Sequence, residues 1–247
     1  MPHRAVAISF DDGYRDNLSL ALPVLQRWNI PATFFLVPGL LDRRIDAWWE
    51  VLGWAFARGR SPSVEWEGRR MSLTSTADRP KHFNSVAQEL KTVDDDTRTA
   101  AVEELAARLD PVGERPNGEL FLDWEDARAL VRGGHAIGSH SDRHQILSQE
   151  TPEAQSRALG TSRVRLQQEL DVDVRLLAYP NGRRQDYDAS TLGAVAGAGY
   201  SFACTTVDGW NDRSTPPFEI RRTVIYPERG LVGLGSILRP LVPAGTR

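Results

Sequence analysis

Two adjacent carboxylates, Asp11 and Asp12, end the apolar run Ala5-Val6-Ala7-Ile8 and are followed by Gly13. Much later in the chain, His140 and His144 stand four residues apart in Ser139-His140-Ser141-Asp142-Arg143-His144. At that spacing two imidazoles on a helical turn share one face and can hold one metal ion. Two imidazoles and one carboxylate leave coordination positions open for water and a substrate oxygen, as a hydrolytic metal requires. Either Asp11 or Asp12 can supply the carboxylate. Successive strand side chains point to opposite faces, so one aspartate can bind metal while its neighbour faces a reactant. The pattern is not that of the His-Glu-x-x-His proteases, because Ser141 and Asp142 follow His140 where that motif needs glutamate.

These residues act together only if the fold brings them together. Residues 5–8 read as a strand buried on both faces, released into a turn at Gly13. Asp16 is expected to cap a helix over residues 17–28, which Pro31 stops, and residues 32–37 form a second buried strand closed by Pro38-Gly39. The opening is therefore β-α-β, with parallel strands and a right-handed crossover. Residues 42–118 read as a mostly helical insertion with few strand signals, its helices falling near 46–59, 83–91 and 97–109. The charge-rich stretch 92–98 within it is expected to be a solvated loop or helix end.

Regularity resumes at Asp123, an N-cap for a helix over 124–132 that ends at Gly133-Gly134. A short strand at 135–138 delivers the histidines. Thr151-Pro152-Glu153 opens a helix running to about residue 170, with Pro at its first position and Glu beside the positive end of the dipole. Strands at 174–179, 200–205 and 222–226 and a helix at 187–198 complete the chain. Such alternation predicts an α/β fold with a parallel sheet or barrel and function at the carboxyl ends of the strands. Asp11, Asp12, His140 and Asn181 all fall at such ends.

Composition narrows the classes. A chain of 247 residues, 40% hydrophobic and 26% charged, suits one α/β domain. A net charge of −3 gives no basic stripe for nucleic acid and no polybasic patch for an anionic membrane. No apolar run approaches the roughly 18 residues of a membrane span, and no signal segment precedes the first strand, so a cytoplasmic location is expected. Cys204, the only cysteine, sits in Tyr200-Ser201-Phe202-Ala203-Cys204 and reads as an inert packed thiol.

Three stretches, Ser9-Phe10-Asp11-Asp12-Gly13, Gly138-Ser139-His140-Ser141-x-x-His144 and Ala178-Tyr179-Pro180-Asn181-Gly182, resemble in order the first three motifs of the NodB-type polysaccharide deacetylases, carbohydrate esterase family 4. The resemblance implies a distorted, incomplete (β/α) barrel in a single domain over 1–247, interrupted by the insertion at about 42–118. It further implies that Asp12, His140 and His144 hold one divalent metal ion, usually Zn2+ in this family, and that Asp11 is the general base. Water activated there attacks the carbonyl of an N-acetyl group, and the backbone N–H of Asn181 helps to hold the developing oxyanion.

The chain departs from the family pattern in two places. Ala178 and Asn181 stand where the third motif usually has Arg and Tyr, and no Leu-x-His follows, His144 being the last histidine. A branch of the family with Ala-Tyr-Pro in the third motif and an Arg before the last strand resembles this chain better. Arg222, directly before Thr223-Val224-Ile225, is accordingly expected to reach the Asp11 carboxylate, directly or through one water. Tyr14, Tyr179, Asn181 and Trp210 are expected to line the substrate cleft, whereas Trp48 and Trp49 are expected in the core. The implied reaction is metal-dependent hydrolytic deacetylation of an N-acetylated sugar or sugar-containing biosynthetic precursor. An amidohydrolase acting on a non-sugar amide with the same metal site is one alternative, and a catalytically silent carbohydrate-binding module is another.

Overall fold

The computed structural model describes residues 5–116 and 118–226. The expected domain limits at residues 1 and 247 lie outside them. The chain opens with β1 (Ile8–Phe10), α1 (Leu22–Arg27) and β2 (Ala32–Leu36), then passes through α2 (Pro38–Leu41) into the insertion. The insertion contains α3 (Trp48–Arg58), a hairpin of β3 (Ser63–Trp66) and β4 (Arg69–Ser72), α4 (Asp78–Leu90) and α5 (Asp95–Leu109). The alternation then resumes with α6 (Trp124–Arg132), β5 (Ala136–Ser139), α7 (Pro152–Leu170), β6 (Leu176–Ala178), α8 (Ala189–Gly197) and β7 (Phe202–Cys204).

Five strands form one wholly parallel sheet in the order β1-β2-β5-β6-β7. Ile8 lies opposite Ala32, Leu36 opposite Ser139, and Ala178 opposite Cys204, so all carboxyl ends emerge on one rim. This is the α/β, distorted and incomplete (β/α) barrel that the alternation and the motifs imply, open between β1 and β7. Its core packs Phe34, Leu36, Ile137, Leu177 and Ala203 of the sheet against Leu25, Leu130, Leu159, Leu166 and Val195 of the surrounding helices. Capping follows the sequence signals: Asp123 and Asp188 form capping boxes, and Thr151 accepts from the N–H of Ala154.

The structure corrects the sequence reading at five places. β1 begins at Ile8, and residues 5–7 are exposed, because β1 is an edge strand with a single neighbour. The first helix is not regular: residues 17–21 make a wide π turn before α1, and Asp16 makes no capping bond. Pro23, which has no N–H to donate to the carbonyl four residues back, accounts for the widened turn. Residues 222–226 form no strand; a single parallel bridge joins Ile220 to Cys204. The insertion holds the β3–β4 hairpin, turned by Glu67 and Gly68 at φ 48° and 69°, which is the signature of a type I′ turn.

The fifth correction lies within the charged stretch 92–98, which is a helix end as expected, Asp94 capping α5 and Thr92, Asp96 and Thr97 being exposed, but which buries Asp95 and Arg98. Arg98 is fully buried, and its guanidinium donates to the carbonyls of Leu90 and Val93, closing α4 onto α5. The insertion has its own apolar core, built from Leu52, Phe56, Val64, Val86, Leu105 and Leu109 among others.

Candidate active site

Asp11 and Asp12 leave the end of β1 through a turn in which Asp12 and Gly13 both adopt positive φ, 70° and 77°. Gly13 is needed there, since a Cβ would also meet Leu36 Cδ2 at 3.0 Å. His140 follows β5 directly, its N–H bonded to the carbonyl of Leu36 at the end of β2. His144 comes from an irregular loop, not from a helical turn, with Ser141 and His144 themselves at φ 61° and 57°. The left-handed residues at 141 and 144 let the loop fold back, so both rings reach one point, 4.9 Å apart centre to centre.

At that point Asp12 Oδ1 lies 3.3 Å from His140 Nε2 and 3.2 Å from His144 Nε2. Among the described residues this is the one group of three metal-capable side chains whose ligand atoms converge, all within 4.8 Å of one another. Asp12 Oδ1 is buried and has no hydrogen-bond partner. His140 Nδ1 is 2.7 Å from the carbonyl of Ala178, which can only accept, so the ring donates there and a neutral His140 turns the lone pair of Nε2 toward Asp12. A carboxylate oxygen with two imidazole nitrogens within 3.3 Å of it, and with no well-aligned hydrogen bond of its own, makes a group that can hold a cation, of the N and O donor type that zinc takes. The backing of His140 by a carbonyl is the support that orients metal-bound imidazoles.

The electrostatics agree with that reading. Burial opposes the charge on Asp12, but the two imidazoles outweigh it and hold the carboxyl well below the usual carboxylate range. Burial pushes His144 down and keeps it neutral, as a ligand must be. Burial also pulls on His140, but Asp12 and Asp11 outweigh it and raise this imidazole above its ordinary value.

Asp11 has a different partner. Arg222 Nη1 and Nη2 donate to its two carboxylate oxygens at 2.7 and 2.8 Å, a direct bidentate fork. The guanidinium also donates to Ser9 Oγ and to the carbonyl of Thr205, and it lies 5.2 Å from the centre of the Phe35 ring. Burial lowers the pKa of Arg222, but Asp11 more than restores it, so the guanidinium stays charged. Because Arg222 follows the bridge beside β7 while Ser9 and Asp11 belong to β1 and its turn, this one side chain spans the opening of the barrel.

The residues expected to line the cleft divide. Asn181 ends the segment after β6 in a left-handed conformation at φ 57°, and its carbonyl accepts from Thr206 Oγ1 at 2.6 Å. Trp210 lies on the loop after β7 and is 56% exposed. The expectation for Tyr179 fails: it is fully buried, donates its hydroxyl to the carbonyl of Phe218 and stacks on Tyr187, so its side chain supports the sheet. The Tyr14 hydroxyl is occupied within the protein, donating to Glu50 and accepting from Trp49 Nε1, both at 2.6 Å.

Trp48 is buried and Trp49 partly so. Sequence reasoning missed that the Trp49 ring packs 4.4 Å from the His144 imidazole, a contact across the insertion boundary with no local signal. Cys204 is partly buried, and burial raises its thiol.

A family model described as polysaccharide deacetylase matches residues 1–203. The chain belongs to the polysaccharide deacetylase family. None of the curated protein sequences matches it. Among solved structures it resembles the Streptococcus pyogenes deacetylase PplD in complex with acetate, at 18% identity and TM-score 0.60 over 96% of this chain and 70% of that one. It also resembles the BpsB deacetylase domain from Bordetella bronchiseptica, at 17% identity and TM-score 0.57 over 90% of this chain and 72% of that one. IcaB from Ammonifex degensii is similar at 16% identity and TM-score 0.57 over 95% and 72%. At these identities the likeness establishes the deacetylase fold, and no described helix is long and apolar enough to cross a membrane.

Proposed function

We propose that this polysaccharide deacetylase family member is a metal-dependent N-deacetylase, hydrolysing the acetamido group of an N-acetylated sugar or sugar-containing precursor. The observation that carries the reading is the partnerless Asp12 Oδ1 between two imidazole nitrogens, beside a second carboxylate held by arginine. PplD, a deacetylase solved with acetate, shares the fold and supports the same reaction class.

In this reading Asp12, His140 and His144 hold one divalent ion, Zn2+ being the best match to the donor set. Such an ion, when bound, polarises a carbonyl oxygen and makes water a nucleophile near neutral pH. Asp11 accepts the proton of the attacking water as the C–O bond forms. Arg222 fixes the plane of that carboxylate, and each oxygen keeps a second lone-pair direction for the proton. The backbone N–H of Asn181 donates to the oxyanion. As the C–N bond breaks, the leaving nitrogen takes a proton, and Asp11 returns the one it accepted. Acetate and a free amine are the products. The Ala-Tyr-Pro third motif and Arg222 then belong together: the arginine missing from the third motif is supplied from beside the last bridge.

The test is acetate release from N-acetyl sugars, nucleotide sugars and short oligosaccharides, with and without a chelator. Chelator-sensitive release from at least one of them is expected. Release that survives complete metal removal, or release confined to non-sugar amides, would overturn the reading.

A further inference from the structure

Three consecutive residues of the loop that carries His144 are each gripped by a different part of the 42–118 insertion. Arg44 Nη2 donates to Asp142 Oδ1 at 2.8 Å. Arg143 pairs with Asp95, Nε to Oδ2 at 3.1 Å, and with Asp96, Nη1 to Oδ1 at 3.4 Å. The Trp49 ring lies against His144 at 4.4 Å. The loop needs external support because Ser141 and His144, neither of them glycine, are both left-handed. Its other fastenings include the bond from Gly39 N–H to the carbonyl of Asp142 and two internal bonds that involve Gln145.

The grip is itself anchored. The Asp95 carboxylate, 9% exposed, lies between Arg143 and the fully buried Arg98, whose Nη1 is 3.8 Å away. Arg98 is tied to the end of α4 through the carbonyls of Leu90 and Val93 and lies 5.6 Å over the Trp48 ring. The N–H of Asp95 donates to Glu150 Oε1, just before α7, which fastens the start of α5 to the barrel. The two histidines differ in this respect. His140 is oriented by a carbonyl of the barrel itself, whereas His144 Nδ1 is buried without a partner, so on that side only packing and loop position hold the ring.

We propose that the insertion is the positioning device for His144. Asp95 acts through Arg143, Trp49 acts through direct contact, and the metal affinity of the barrel depends on insertion residues that do not themselves bind metal. The proposal rests on the metal-site reading above, and Asp95, Arg143 and Trp49 are positioning residues.

The test uses the full chain, with Zn2+ affinity measured by chelator competition and the visible spectrum of the Co2+ form as a report of coordination geometry. Removing a group that orients a metal ligand typically weakens affinity 10–100-fold. That range is expected for Arg143→Ala and Asp95→Asn, with an altered Co2+ spectrum and partial recovery in Arg143→Lys. Arg60→Ala, which breaks the exposed Arg60–Asp110 pair elsewhere in the insertion, should stay within twofold of wild type. If Asp95→Asn does not fold, Arg143→Ala carries the test, since that side chain is partly exposed. A folded Arg143→Ala with affinity within twofold of wild type and an unchanged spectrum would overturn the proposal while leaving the metal site intact. No Zn2+ on the wild-type chain, or equal uptake by His144→Ala, would overturn the metal-site reading and the proposal with it.

Discussion

Arg222→Ala probes both the opening of the barrel and the proposed base. The variant loses two charge-assisted bonds to Asp11 and one each to Ser9 Oγ and the carbonyl of Thr205. Breaking a fully buried ion pair costs about 3–5 kcal/mol. The Asp11 side chain is 28% exposed, so water recovers part of that loss and about 2–3 kcal/mol is the reasonable figure. For a domain of this size such a loss lowers Tm by roughly 4–12 °C. Arg222→Lys keeps the charge but not the fork, and about half the loss is expected.

Because Arg222 touches Asp11 and not Asp12, Zn2+ affinity should change little while kcat falls about 10²-fold as the carboxylate loses its orientation. Thermal melts of the metal-free chain, chelator competition and acetate-release kinetics on the three proteins read these quantities separately. An Arg222→Ala melt within about 1 °C of wild type with unchanged kcat would refute the reasoning. A large loss of Zn2+ affinity would show instead that Asp11 and Asp12 have been given each other's tasks.

Two further outcomes are expected. Asp11→Asn should retain Zn2+ affinity yet lose 10²–10⁴-fold in kcat, because it removes a proton acceptor and not a ligand; loss of metal together with activity would contradict it. Zn2+ binding should release protons from His140, whose pKa is raised above its ordinary value, and not from His144, which burial pushes down, so the release should shrink as pH rises. Calorimetry in buffers of different ionisation enthalpy counts those protons at each pH, and a release of two, or one that grows with pH, would refute the assignment. The sign carries over to folding. A raised His140 pKa stabilises the metal-free fold fully below about pH 6.5, and that stability is lost as pH rises through the folded value.

The legible parts of this chain are those where local chemistry and tertiary structure ask for the same residue. Asp123, Thr151 and Asp188 cap helices by hydrogen bonds within three residues of themselves, so the boundaries of α6, α7 and α8 can be read locally. Asp11, Asp12 and His140 were placed by the rule that parallel strands deliver chemistry at their carboxyl ends. What could not be read depends on distant partners. Tyr179 shares a motif with Asn181, but Tyr187 and Phe218 bury it against the sheet. Arg98 looks solvated among Asp94, Asp95 and Asp96 until the carbonyls of Leu90 and Val93 turn inward to receive it. The β3–β4 hairpin is different: Glu67-Gly68 offers a local turn, but the flanking Arg69 and Arg70 do not read as strand.

Strain is distributed along the same division. Asp12, Ser141, His144 and Asn181 are all left-handed without being glycine, and all lie in the loops that converge on the site. The other such residues sit at a helix end or in a turn, as Asp110 and Asp171 do, where a left-handed cap ends a helix. Each strained position costs of order 1–3 kcal/mol, somewhat less for Asn and Asp, so the site loops hold several kcal/mol that contacts elsewhere must offset. The contacts that do so are specific to each loop: Leu122 N–H on the Gly13 carbonyl, Thr206 on Asn181, and Arg44, Asp95 and Trp49 on the histidine loop. A local sequence window can show which residues do the chemistry, because their types are demanded by the reaction. It cannot show what holds them in strained conformations, because the residues that do so lie as far away as the insertion and are chosen by shape and charge alone.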